Sequence, residues 1–194
     1  MKLLLATTNH GKITEFSSLL SDLKIELVTP ADIGLNLDVD ETGSTYQENA
    51  ELKALKFSQA SHLPVLSDDT GLEVKALGGI PGIHSARFIK SPNATDRDRR
   101  KLLLEKLSAH PRPWKARFIC VATLLIPGQS PISREGECPG EIIPEERGEH
   151  GFGYDAIFLV NGTSKTMAEL SLQEKNSLSH RAKAVRALFP YLQN

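Results

Sequence analysis

Apolar positions along the chain switch repeatedly between a period of two and a period of about 3.6, the mark of strands alternating with helices. Residues 2–6 (KLLLA) read as a buried strand, and Ile13, Phe16, Leu19, Leu20 and Leu23 mark one helix face. Thr45 followed by Glu48 is a capping-box pattern, opening a second helix with Ala50, Ala54 and Phe57 on its apolar side. Residues 64–66 form a short strand that ends at Asp68 and Asp69, and residues 78–82 (GGIPG) read as an irregular loop. Thr95 caps a helix carrying Leu102, Leu103, Leu104 and Leu107. Residues 118–126 are apolar on both faces, which suits a central strand. Pro127 and Gly128 turn the chain into a strand near residues 132–138, and residues 156–160 supply another. Ser171 with Glu174 starts a last helix with Leu178, Val185, Leu188 and Phe189 inside. The pattern predicts an α/β fold with a mixed sheet, because a tight turn between strands implies antiparallel pairing. Without repeats or a linker, residues 1–194 read as one domain.

Composition narrows the class. A chain of 194 residues with 40% hydrophobic and 24% charged residues is long enough to bury about 70% of its unfolded surface. Lys and Arg number 23 against 24 Asp and Glu, a formal net charge of −1, which argues against nucleic-acid binding as the main task. No apolar run approaches the ~20 residues of a membrane span, and MKLLLATT turns polar too soon for a signal peptide. Cys120 and Cys138 lie in separate segments without metal-type spacing and read as reduced thiols. A cytoplasmic enzyme or binding protein is the expectation.

Four stretches carry chemistry. Thr7, Thr8, Asn9, His10, Gly11 and Lys12 occupy a strand-to-helix junction, where backbone N–H groups and the helix dipole suit phosphate. It is not a P-loop, because the first glycine of that motif is missing. Asp38, Asp40 and Glu41 precede the second helix, and Asp68 and Asp69 follow a strand. Adjacent carboxylates there need compensation, from water, a basic side chain or a cation; Mg²⁺ requires only one or two protein carboxylates beside phosphate oxygens. Gly151-Phe152-Gly153-Tyr154-Asp155 presents an aromatic ring between glycines, either a stacking surface for a base or a hydrophobic plug. Lys175, His180 and Arg181 supply donors for a base carrying oxygens. On one straight helix Lys175 and His180 differ in direction by about 140°. Either the ligand is large or the helix is distorted near residues 177–179.

These stretches, together with Leu77–Arg87 (LGGIPGIHSAR), Asp40-Glu41-Thr42-Gly43 leading into Glu48-Asn49-Ala50, and residues 174–181 (EKNSLSHR), resemble in order and spacing the inosine triphosphate pyrophosphatase family. Members hydrolyse aberrant purine nucleoside triphosphates (ITP, dITP, XTP) to the monophosphate and pyrophosphate, cleansing the nucleotide pool. The resemblance implies a long twisted mixed sheet flanked by helices, two lobes around an active-site cleft, Mg²⁺ dependence and a homodimer. It implies that residues 7–12 bind the triphosphate, and that Asp69 is catalytic and a metal ligand with Asp68 nearby. The same resemblance implies that Thr70 contacts substrate. Asp40 matches the second metal position, where relatives usually carry glutamate, so its shorter reach leaves that role open between Asp40 and Glu41. The resemblance further implies that Phe152, Gly153, Tyr154 and Asp155 border the base and that Lys175, His180 and Arg181 read it.

Overall fold

The computed structural model describes residues 1–91 and 93–193. In chain order the elements are β1 (Lys2–Leu5), α1 (His10–Leu20), β2 (Glu26–Val28), α2 (Tyr46–Ser61), β3 (Val65–Val74) and β4 (Pro81–Gly82). Then come α3 (Asp96–Leu107), β5 (Trp114–Leu125), β6 (Ile132–Ile142), β7 (Phe158–Val160), α4 (Leu172–Leu178), α5 (His180–Arg186) and α6 (Phe189–Leu192). Pairing is mixed, as the turn chemistry requires. β1 lies parallel to β2 and β3, whereas β3 with β4 and β6 with β7 run antiparallel. Pro127 and Gly128 form a turn closed by Gln129 N–H to the Ile126 carbonyl at 3.0 Å. Gly128 has φ +82° there, a conformation open to glycine and costly for other residues.

The chain divides into two compact units. The first takes in Met1–Asp69, Cys120–Gly136 and the segment from His180 onward. Its sheet has a core on each face, and strand parity assigns residues to them. Leu3, Leu5, Leu66 and Cys120 pack with Phe16 of α1 and Ala182 and Val185 of α5. Leu4, Ala6 and Val65 pack with Ala54 and Phe57 of α2. The second unit, Thr70–Ile119 and Glu137–Ser179, buries Leu72, Val74, Leu103, Leu107, Phe118, Tyr154 and Phe158 together. Phe118 and Phe158 meet there with ring centroids 4.5 Å apart.

Several boundaries differ from the sequence expectation. β3 does not stop before the acidic pair but runs through it to Val74, because each aspartate faces a different side and finds its own cation. Pro81 and Gly82 leave the expected loop to pair with Glu73 and Leu72. β5 begins at Trp114, β6 extends to Ile142, and Asp155–Ile157 is a 3-10 turn rather than strand. The last helix is three helices. Ser179 breaks it with an extended backbone (φ −68°, ψ 156°), so the distorted-helix alternative holds: Lys175 stands in the second unit, His180 and Arg181 in the first.

Candidate active site

Parity on β3 builds the first cluster. Asp68 shares its face with Leu66, toward α1 and α5. One carboxylate oxygen accepts from Lys12 Nζ at 2.9 Å, and the other accepts from Arg181 Nη2 and Nε at 3.2 and 3.3 Å. Cys120 Sγ lies 3.8 Å from that second oxygen. Arg181 spans from Asp68 to Glu15, a carboxylate buried on the apolar side of α1. Burial pushes the Asp68 carboxyl up, but Lys12, Arg181 and Lys53 outweigh it and hold the group well below the usual carboxylate range. Burial likewise disfavours the charged form of Arg181, and the charges of Glu15 and Asp68 outweigh it and hold the group above its ordinary value. The ionised form of Asp68 is the one this network favours.

Asp69 points the other way, toward α2. Its Oδ2 accepts from Asn49 Nδ2 at 3.1 Å, and its Oδ1 lies 3.9 Å from Lys53 Nζ. Lys53 donates to Glu41 at 2.5 Å. Asn49 and Lys53 sit one turn apart on α2, so both face the strand. Asn49 also accepts from Gly43 N–H at 2.8 Å, tying the Glu41 segment to Asp69. Any side chain at Gly43 would put a Cβ 2.7 Å from Asn49 Oδ1. Burial raises the Asp69 carboxyl, Lys53 pulls it down, and the Glu41 charge raises it again; the balance is above its ordinary value. Two neighbours in sequence are thus shifted in opposite directions from the ordinary carboxylate value.

The donor set on this face fits a hard divalent cation. Glu41 and Asp69 reach, from separate segments, the one ammonium of Lys53. Two carboxylates are what Mg²⁺ takes from protein when phosphate oxygens and water complete its shell. Among the described residues no group of three or more His, Cys, Asp or Glu gathers as a metal site, so substrate oxygens would supply the remainder. Of the two acidic candidates, Glu41 is the one brought to Asp69. Asp40 is exposed, because odd positions from Ile33 to Gly43 turn inward and even ones outward.

At the β1–α1 junction Asn9 is the N-cap: its Oδ1 accepts from Lys12 N–H at 3.0 Å, while its own N–H donates to Thr7 Oγ1 at 3.2 Å. Thr8, Asn9 and His10 are exposed, and Thr7, Gly11 and Lys12 half-buried. Lys12 is the member of this group that reaches Asp68.

The second unit holds the other cluster. Lys175 Nζ donates to Asp155 Oδ2 at 2.7 Å and lies 5.2 Å from the Phe152 ring centroid. The same oxygen accepts from Phe152 N–H at 3.0 Å. Phe152 is half-buried and Thr70 half-buried on β3. Tyr154 is otherwise: it is a core residue whose hydroxyl donates to the Ser85 carbonyl at 3.0 Å. Gly151, at φ +79°, leaves the room that Asp155 fills; an added Cβ would lie 2.1 Å from Asp155 Oδ2. Gly151→Ala should therefore cost about 1–3 kcal/mol of stability, read as a lowered urea midpoint. An unchanged midpoint would mean that the carboxylate is not seated there. His180 is buried with Arg181 in the first unit.

Glu15, Asn49 and Lys53 were not among the expected site residues. A signal for them existed: Glu15 interrupts the apolar face of α1, and Asn49 and Lys53 flank Ala50 and Ala54 at helical spacing.

Comparison with known proteins agrees over nearly the whole length. The sequence profile of the Ham1 family matches residues 3–191. A dITP/XTP pyrophosphatase of Thermus thermophilus is 47% identical over 97% of this chain and 90% of its own. One from Shigella flexneri is 44% identical over 100% and 98%. Among solved structures, a HAM1 protein from Coxiella burnetii superposes with a TM-score of 0.88 at 40% identity, covering 99% of this chain and 98% of its own. The Staphylococcus aureus Ham1 protein gives 0.86 at 38% identity, covering 99% and 98%.

Proposed function

The chain belongs to the Ham1 family, and from that premise we propose that it hydrolyses dITP, XTP and related aberrant purine nucleoside triphosphates to the monophosphate and pyrophosphate with the help of Mg²⁺. The observation that supports the reading is the contrast in surroundings between Asp68, bound to Lys12 and Arg181, and Asp69, bound to Asn49 with Lys53 3.9 Å away. Titratable neighbours whose surroundings drive them apart mark acid–base assignments. Asp68, saturated by Lys12 and Arg181, holds the cationic groups in place. Asp69, less fully compensated, is the group suited to orient and deprotonate a water attacking the α-phosphorus. Glu41 and Asp69 would hold the metal, whose chemistry when bound is neutralisation of the triphosphate oxygens and of the leaving pyrophosphate. Lys12 adds a point charge for phosphate, and Asn49 fixes the Asp69 carboxylate against rotation.

Base recognition falls to Phe152 and Lys175. A base stacked on an aromatic ring gains about 1–3 kcal/mol. The ammonium beside that ring favours an edge bearing oxygens, as in hypoxanthine and xanthine, over the amine of adenine. Donors left facing an amine can reject it by ~10⁴-fold.

The test is turnover of dITP, XTP, ATP and GTP with Mg²⁺ and with a chelator added. The expected products are monophosphate and pyrophosphate from dITP and XTP, with activity lost on chelation. Release of inorganic phosphate and a diphosphate would overturn the reaction type, and chelator-resistant turnover would overturn the metal.

A further inference from the structure

We propose that the first turn of α3 is a positioning element for base recognition: Asp96 and Arg100 grip Gly153 on both its polar groups and so fix the ring of Phe152. This rests on the reading of Phe152 as the stacking residue. Gly153 N–H donates to Asp96 Oδ2 at 2.7 Å, and its carbonyl accepts from Arg100 Nη1 at 2.8 Å. Arg100 is itself immobilised, with Nε and Nη2 each donating to a Glu146 oxygen at 2.9 Å. Asp98, in the same turn, takes part in the reciprocal capping box with Thr95 and does not touch Gly153.

The grip answers a physical need. Phe152 stands between Gly151 and Gly153, both at positive φ. Such a segment pays a large conformational entropy when ordered. Asp155 holds Phe152 by both backbone groups, its carboxylate accepting from Phe152 N–H and its own N–H donating to the Phe152 carbonyl at 3.1 Å; the next residue, Gly153, has no side chain to anchor it. Two charge-assisted bonds to its backbone replace one. Asp96 and Arg100 need not touch substrate. They act by keeping the ring from having to be ordered when the base arrives, so their effect belongs in nucleotide affinity and not in the chemical step.

The experiment measures dissociation constants for inosine monophosphate by calorimetry, together with KM and kcat for dITP, in the full chain. Asp96→Ala is expected to raise Kd and KM by ~5–20-fold while kcat stays near wild type. Asp96→Asn, which keeps an acceptor for Gly153 N–H, restores both to within about twofold. Asp98→Ala is the control for helix weakening: it breaks the capping box, lowers Tm and leaves Kd unchanged. In a Phe152→Ala background, Asp96→Ala adds nothing further. The proposal is overturned if Asp96→Ala binds like wild type, if Asp98→Ala weakens binding as much, or if the effects in the Phe152→Ala background are additive. A wild-type protein that neither binds the monophosphate nor turns over dITP defeats the functional reading itself, a result distinct from wild-type binding with an indifferent Asp96→Ala.

Discussion

Asp69→Asn is expected to lower kcat for dITP by about 10²–10⁴-fold while the protein stays folded and its Tm is unchanged or slightly higher. Under the proposed mechanism, loss of activity follows from removing the carboxylate assigned to take a proton. Retention of the fold follows from the surroundings of Asp69. Its carboxyl lies above the ordinary value in the folded chain, burial being the main cause, so the ionised form opposes folding. A neutral amide of the same shape relieves that opposition and still accepts from Asn49 Nδ2. Lys53 keeps Glu41 as a partner. Stability gained where activity is lost is the usual mark of a strained functional group. Asp68→Asn should behave oppositely. It removes the anion shared by Lys12 and Arg181 and lowers Tm along with kcat. Pyrophosphate-release kinetics and calorimetry on both variants decide the matter. Unchanged kcat in Asp69→Asn, or a fall in its Tm matching that of Asp68→Asn, sinks the assigned division of roles.

Much of this arrangement was written in periodicity. The strand–helix alternation placed β1, α1, α2 and α3 nearly where they lie, because β1 is a short apolar run and each of the three helices has an N-terminal cap, signals that act locally. The same periodicity, followed one step further, distinguishes Glu41 from Asp40. Leu35, Leu37 and Val39 pack inward on the α2-side core, and position 41 inherits their parity. What escaped were features settled by tertiary pairing. The end of β3 was misplaced because charge in a strand reads as a terminus until its partners are known. For the C-terminal segment the sequence leaves two courses open, because residues 171–189 keep helical spacing while Lys175 and His180 point apart; the extended backbone of Ser179 decides for a break. Tyr154 looked like a companion of Phe152 in the glycine-rich loop, yet a phenol beside Ile157 and Phe158 is drawn into the core once its hydroxyl finds the Ser85 carbonyl.

Arg181 shows how far burial changes a residue read as a base contact. Its side chain is 1% exposed, and its guanidinium bridges Asp68 and Glu15. Arg181→Ala therefore leaves two buried carboxylates facing each other's field, with Lys12 and the more distant charge of Lys53 left to compensate Asp68. Removing one partner from a buried ionic network costs about 3–5 kcal/mol. For a chain of this length that lowers Tm by ~6–20 °C. Arg181→Lys should recover little, since a point charge cannot span two carboxylates as the planar fork does. Turnover falls in both variants, because Asp68 loses the group that fixes its second oxygen, while the ratio of dITP to ATP hydrolysis changes far less than either rate. Urea unfolding beside rates on the two nucleotides separates the roles. A variant of wild-type stability with its dITP preference erased would mean that the guanidinium leaves the acidic pair to read the base.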